Sequence, residues 1–162
     1  KKFIYICMIK RFSTIMESAS GKHKIGLDLH GVISDMPEFF AFFTDALIKA
    51  GAEIHIITGG ATEDDKKLLN DYNIKYTHFF SIVDYHREMG TPTSGKHPKY
   101  GFDMISDEEW DKTKAEYCRV NGIDLHIDDT LIYNNYFTTP FCRLWSHNNH
   151  GKPAHKDPRH LD

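Results

Sequence analysis

Ile25-Gly-Leu-Asp-Leu-His-Gly-Val-Ile33 is the stretch on which the reading of this chain turns. Apolar residues lead into Asp28, His30 follows two positions later, and Gly31 comes directly after it. Side chains alternate faces along a strand, so a strand over Lys24 to Leu29 aims Asp28 and His30 the same way. Gly31 tolerates a sharp backbone turn at the strand's end. A carboxylate at the C-terminal end of a buried parallel strand sits where open α/β sheets bind ligands. Asp28 therefore reads as a nucleophile and His30 as its acid/base partner. The competing reading is a short strand followed by a polar turn, and this stretch alone weighs the two evenly.

Working outward, Asp35-Met-Pro-Glu38 opens a helix, with Asp35 as cap and Pro37 in the first turn. Phe39, Phe42, Phe43, Ala46, Leu47 and Ala50 recur at helical period and read as a core-facing stripe closed by Gly51. Glu53-Ile-His-Ile-Ile57 is the second strand, running into Thr58-Gly59-Gly60. Thr62 starts a helix that reaches about Tyr72, in an imperfect capping pattern with Asp65. His78 to Val83 is a third strand. From Asp84 to Ser106 the periodicity is lost among Gly90, Pro92, Gly95, Pro98 and Gly101, so this reads as a long loop or small insertion. Ser106-Asp-Glu-Glu109 is a capping box for a helix to about Val120, ended near Asn121-Gly122. Ile123 to Ile127 is the fourth strand and ends in Asp128-Asp129; Ile132 to Phe137 is a short helix, and Phe141 to Trp145 the fifth strand. Strands alternating with helices predict a three-layer α/β/α domain with an open, mainly parallel, Rossmann-like sheet.

Composition narrows the function. At 162 residues, 40% apolar and 27% charged, the chain reads as one ordinary globular domain. A net charge of -3 with mixed signs gives no electrostatic argument for nucleic acid. Three scattered cysteines, with no CxxC pair, suggest neither a disulfide framework nor a zinc site, and fit a reducing cytoplasm. The apolar run Phe3 to Ile9 is too short to span a membrane, and Lys10-Arg11 cuts it off. The chain opens on Lys1, and Met16 is a candidate start, so residues 1–22 are expected to be an appendage with no assigned function. Residues 147–162 read as a polar tail; the spacings of His147, His150, His155 and His160 match no common metal site.

Three strand ends carry polar groups: Asp28 and His30, Thr58-Gly59, and Asp128-Asp129. In a parallel sheet such ends share one edge, so the groups can meet. Each alone is weak evidence, because Thr-Gly and Asp-Asp are also common turns. Together, in this order, the chain resembles the haloacid dehalogenase-like (HAD) phosphohydrolase superfamily over residues 24–145, within a domain expected at 23–146. Asp28-Leu-His-Gly31 matches its first motif, Ile56-Ile-Thr58-Gly59 its second, a helix lysine its third, and Ile127-Asp-Asp129 its fourth.

The resemblance implies a Mg²⁺-dependent phosphomonoester phosphatase, with a nucleotide among its candidate substrates. Asp28 would attack phosphorus and become a phospho-aspartate. Mg²⁺ would be held by Asp28, the backbone carbonyl of His30, and Asp128 with Asp129. Thr58, Gly59 and nearby backbone N–H groups would bind the phosphoryl oxygens. Lys114 is the first choice for the lysine, with Lys112 next and Lys96 or Lys99 reaching in from the loop.

His30 departs from the family, which carries a second Asp there. Histidine, with an ordinary pKa near ~6.5, can both give and take a proton, so acid/base work can survive with a shifted pH optimum. The alternative is a catalytically impaired phosphate-binding or interaction protein. A polynucleotide-end phosphatase is a further alternative, disfavoured by the acidic balance. About thirty residues separate Asp28 from Thr58, which leaves no room for a large cap domain. Residues 84–106 are the candidate lid, where His86, Arg87, Lys96, Lys99 and Tyr100 supply donors and a ring for a substrate.

Overall fold

A computed structural model of the protein describes residues 22–98 and 101–145. The expected appendage up to residue 21, the histidine-bearing tail, and Lys99 with Tyr100 lie outside the described residues. In chain order the elements are β1 (Lys24–Leu27), α1 (Pro37–Lys49), β2 (Glu53–Thr58), α2 (Thr62–Asp71), β3 (His78–Ser81), α3 (Ile82–Glu88), β4 (Gly95–Lys96), β5 (Asp103–Met104), α4 (Asp107–Asn121), β6 (Leu125–Asp128) and β7 (Phe141–Arg143). A 3₁₀ turn spans Leu131–Asn135.

Five strands pair in parallel in the order β3-β2-β1-β6-β7. The chain builds outward from β1 to β3, then returns to place β6 on the other side of β1. The strand order therefore reverses between β1 and β6, which is where open α/β sheets form a ligand crevice beyond their C-terminal ends.

Alternation along the strands assigns the layers. Ile54 and Ile56 of β2 pack with Leu27, Phe40 and Leu69, on the side of α1 and α2. Ile57 packs with Cys118 and Ile123 on the opposite side, where α4 lies, and His55 on that same side bonds the Tyr117 hydroxyl of α4 at 3.0 Å. Both faces are covered, so the five strands form the middle of an α/β/α arrangement with a Rossmann-like sheet. Among the described residues no helix is long and apolar enough to cross a membrane.

Several local expectations need correction. β1 ends at Leu27, not Leu29; Leu29 to Ile33 form a single wide turn closed by the Ser34 N–H donating to the Leu29 carbonyl at 2.9 Å. The Phe stripe of α1 is rotated. Phe40 and Thr44 are buried, with Phe43, Leu47 and Ile48 packed beside them, while Phe39 is 48% and Phe42 72% exposed. Apolar residues occupy most sides of this helix, so period alone could not say which side meets the sheet. Phe42→Ser should accordingly change unfolding stability by no more than about 0.5 kcal/mol, the range for surface positions. A urea denaturation curve with a midpoint far below that of the wild type would return Phe42 to the core.

Asp35 is not the cap of α1, which begins after Met36 with no side-chain cap bond. Thr62 does not cap α2 either: it is the first helical residue, and its N–H donates to the Asp84 carboxylate at 2.8 Å. The third strand stops at Ser81. Ser81 then caps α3, its hydroxyl accepting from the Asp84 N–H at 3.1 Å, and Ile82 and Val83 are buried in a cluster with Ile105, Trp110 and Tyr133. Burial in that cluster overrides the strand preference of two β-branched residues. The expected loop is thus a short helix followed by the hairpin of β4 and β5. A seven-residue helix is too short for periodicity to reveal.

Candidate active site

Asp28 follows β1 in an extended conformation, and its N–H donates to the Ile127 carbonyl of β6 at 2.9 Å. The ladder so continued keeps Asp28 on the α4 side of the sheet. Asp128 at the end of β6 faces the same way. Lys114 of α4 meets both: its ammonium donates to Asp28 Oδ1 at 2.8 Å and to Asp128 Oδ2 at 2.6 Å. All three side chains are buried. The Tyr133 ring lies 4.7 Å from the Lys114 Nζ, and the Trp110 indole N–H fixes the Tyr133 hydroxyl at 3.1 Å. Lys114, the first choice from the sequence, is thus the lysine that meets these two carboxylates. The runner-up, Lys112, pairs with Glu109 on the solvated side of the same helix.

Asp129 completes the cluster, with one oxygen each from Asp28, Asp128 and Asp129 lying within 4.8 Å of one another. Gly31 makes this approach feasible. Its φ is +81°, and a Cβ there would come within 2.4 Å of Asp129 Oδ2. Three carboxylates against one ammonium leave negative charge in excess. Burial pushes the Asp28 carboxyl above its ordinary range; Lys114 opposes this, and Asp128 and Asp129 add to it. Burial and the neighbouring Asp128 likewise raise Asp129. Burial acts against ionisation of Asp128 as well, but Lys114 and His126 hold it well below the carboxylate range. The neutral His126 ring donates from Nε2 to Asp128 Oδ2 at 3.2 Å. A Cβ at Gly26 would lie 2.7 Å from His126 Nδ1, so that glycine makes room for the ring.

His30 sits at the mouth of the site, its side chain 55% exposed above the buried Asp28. Its partner is Asp65 of α2, to whose Oδ1 the His30 Nε2–H donates at 3.0 Å. This hydrogen bond is the main cause that raises the His30 pKa above 6.5. The other oxygen of Asp65 accepts from the Thr58 hydroxyl at 2.7 Å, and the Gly60 N–H donates to Thr58 Oγ1 at 3.2 Å. The Thr58 hydroxyl, expected to meet a phosphoryl oxygen, here donates its hydrogen to Asp65. Gly59 is pinned by Trp110, whose ring would lie 2.8 Å from a Cβ at that position.

Asp65, His126 and Tyr133 were not read as site residues. His126 had a signal, since it shares strand parity with Asp128. Asp65 and Tyr133 had none, because only the fold brings them in. The described lid candidates have partners away from the acid cluster. Lys96 pairs with Asp103 at 2.6 Å, Arg87 with Asp84 at 2.5 Å, and His86 is buried between Thr91 and Thr113.

Comparison with known proteins adds little to this geometry. No protein-family model matches the chain. No curated protein matches it either. A crystal structure of a glycosyltransferase from Rickettsia africae ESF-5 is similar at a TM-score of 0.38 and 14% identity, over 75% of this chain and 29% of that one. The chain thus spans under a third of that structure's length, and a likeness this weak carries neither fold nor activity across.

Proposed function

We propose that this protein is a Mg²⁺-dependent phosphomonoester phosphatase of the haloacid dehalogenase-like type, working through a phospho-aspartate on Asp28. The observation that carries the reading is the buried Lys114 bridging Asp28 and Asp128 at the ends of adjacent parallel strands, with Asp129 beside them. The residues fit the metal: clustered carboxylate oxygens suit a hard cation, and excess negative charge is what it would neutralise. Asp28, Asp128 and Asp129 would hold Mg²⁺, which when bound supplies charge to offset the approach of an anionic phosphate.

The chain's own residues do the rest. Lys114 favours the ionised form of Asp28 against burial and the neighbouring carboxylates. Asp28 attacks phosphorus as the bond to the leaving oxygen breaks. His30, protonated and steadied by Asp65, gives that oxygen its proton, then as the neutral ring takes one from the water that cleaves the phospho-aspartate. The full chain should release phosphate from p-nitrophenyl phosphate and from an alkyl phosphate in Mg²⁺, and stop when EDTA is added. No release from either ester at any Mg²⁺ concentration would sink the reading.

One observation favours a second reading, a phosphate-binding protein without turnover: His30 and Thr58 are both engaged by Asp65. Calorimetric binding of inorganic phosphate in the absence of any ester hydrolysis would select it.

His30 also sets a pH dependence. Because Asp65 raises its pKa above 6.5, the acid form persists to higher pH than in a free histidine and is lost as pH rises through the raised value. The kcat/KM for an alkyl ester should therefore fall along a basic limb above pH 6.5. Asp65→Asn removes the carboxylate and should move that limb toward lower pH. An unmoved limb in this variant would exclude His30 as the acid.

A further inference from the structure

We propose a separate Zn²⁺ site at the opposite, N-terminal edge of the sheet, formed by Glu53 and His55 of β2 and His78 of β3. Glu53 and His55 are two apart on one strand and share its face. His55 and His78 are direct partners in the β2–β3 register. One ligand atom from each of the three residues lies within 4.8 Å of the others. Thr58 and the acid cluster belong to the other end of the strands; Thr58 is three residues beyond His55, roughly 10 Å along β2.

His55 carries the inference. It is only 2% exposed, and its Nε2 has no hydrogen-bond partner. The Glu53 carboxylate faces that nitrogen from 3.8 Å, beyond hydrogen-bonding reach. A buried polar nitrogen left unpaired is unfavourable, so the fold should supply it a partner. The other ring nitrogen, Nδ1, is held by its 3.0 Å hydrogen bond with the Tyr117 hydroxyl. In the tautomer whose proton sits on Nδ1, Tyr117 accepts that proton and the Nε2 lone pair is free for a metal, the arrangement in which an outer partner orients a metal-binding histidine.

Two imidazoles and a carboxylate, with open coordination filled by water, suit Zn²⁺ and are a poor set for Mg²⁺, which prefers oxygen ligands. Binding requires local rearrangement. The His55 and His78 rings are stacked with centroids 4.1 Å apart, and parallel rings cannot aim in-plane lone pairs at one ion. His78 is exposed and can swing out, giving up its 2.9 Å bond to Thr77. Lys22 and Lys24, which approach Glu53 at 3.6 and 3.8 Å, must yield to the ion. Bound Zn²⁺ would then clip β2 to β3, the terminal strand of the sheet.

The test is calorimetric Zn²⁺ titration of the full chain in saturating Mg²⁺, paired with thermal unfolding with and without Zn²⁺. His78→Ala removes an exposed ligand, and Glu53→Gln keeps the side chain's shape. Each should weaken one Zn²⁺ equivalent by about 100-fold or more, since losing even an outer partner costs about 10–100-fold. Each should also abolish the Zn²⁺-dependent rise in Tm that the wild type shows by mass action. Wild-type protein that binds no Zn²⁺, or variants whose titrations and Tm shifts match the wild type, would overturn the proposal.

Discussion

Asp28→Asn should lower phosphatase turnover by about 10⁴-fold or more, as removal of a covalent nucleophile does, while the protein stays folded. An amide oxygen cannot form the phospho-aspartate, so no substrate with a better leaving group should rescue the variant. Folding should survive because the change is nearly isosteric. Lys114 keeps its 2.6 Å bond to Asp128, and the raised pKa of Asp28 shows that its charge is held against burial and two neighbouring carboxylates. Circular dichroism and a denaturation curve establish the fold, and a phosphate-release assay reads the rate. A variant within tenfold of wild-type kcat would remove covalent catalysis by Asp28 from the mechanism.

Lys114→Met should act on stability before it acts on catalysis. The ammonium is buried and satisfies two buried carboxylates. Removing one member of such a network strands the others, at a cost of about 3–5 kcal/mol. Methionine fills much of the same space against Tyr133, so the loss comes chiefly from charge and not from a cavity. The cluster would then hold three carboxylates with no cation. Urea unfolding in EDTA should show the full loss, and Mg²⁺ should recover part of it by binding the native state. The variant should also be inactive, because Asp28 loses the neighbour that favours its ionised form. Wild-type stability in EDTA would mean that Lys114 does not neutralise the cluster.

Much of this was legible in the chain. Apolar runs ending in Asp28, Thr58 and Asp128 imply strands whose polar ends share one edge, because parallel strands joined by helices all point the same way. Lys114 was the choice that the family resemblance implied, on the helix that leads directly into β6. Capping by Ser106 was equally local: its hydroxyl accepts from the Glu109 N–H at 3.3 Å. Spacing along one element, and chemistry at its ends, are properties of consecutive residues.

What stayed hidden depends on orientation between elements. Periodicity shows that α1 has an apolar side but not its angle to the sheet, so Phe42 was assigned to the core when Phe40 occupies it. His30 was expected beside Asp28 on a continuing strand; the wide turn at Leu29 to Ile33 redirects it to Asp65, 35 positions later. Thr58 meets the same carboxylate, a partner that its sequence position does not reveal. The pairing of His55 with His78 follows from strand register, and register follows from the packing of both faces. The sequence by itself determined the alternation of the five sheet strands with the longer helices, and that Asp28, Thr58 and Asp128 lie at strand ends. Only tertiary structure decided which carboxylate each histidine, hydroxyl and ammonium meets, because hydrogen bonds and ion pairs form between side chains that folding brings within about 3 Å, whatever their separation along the chain.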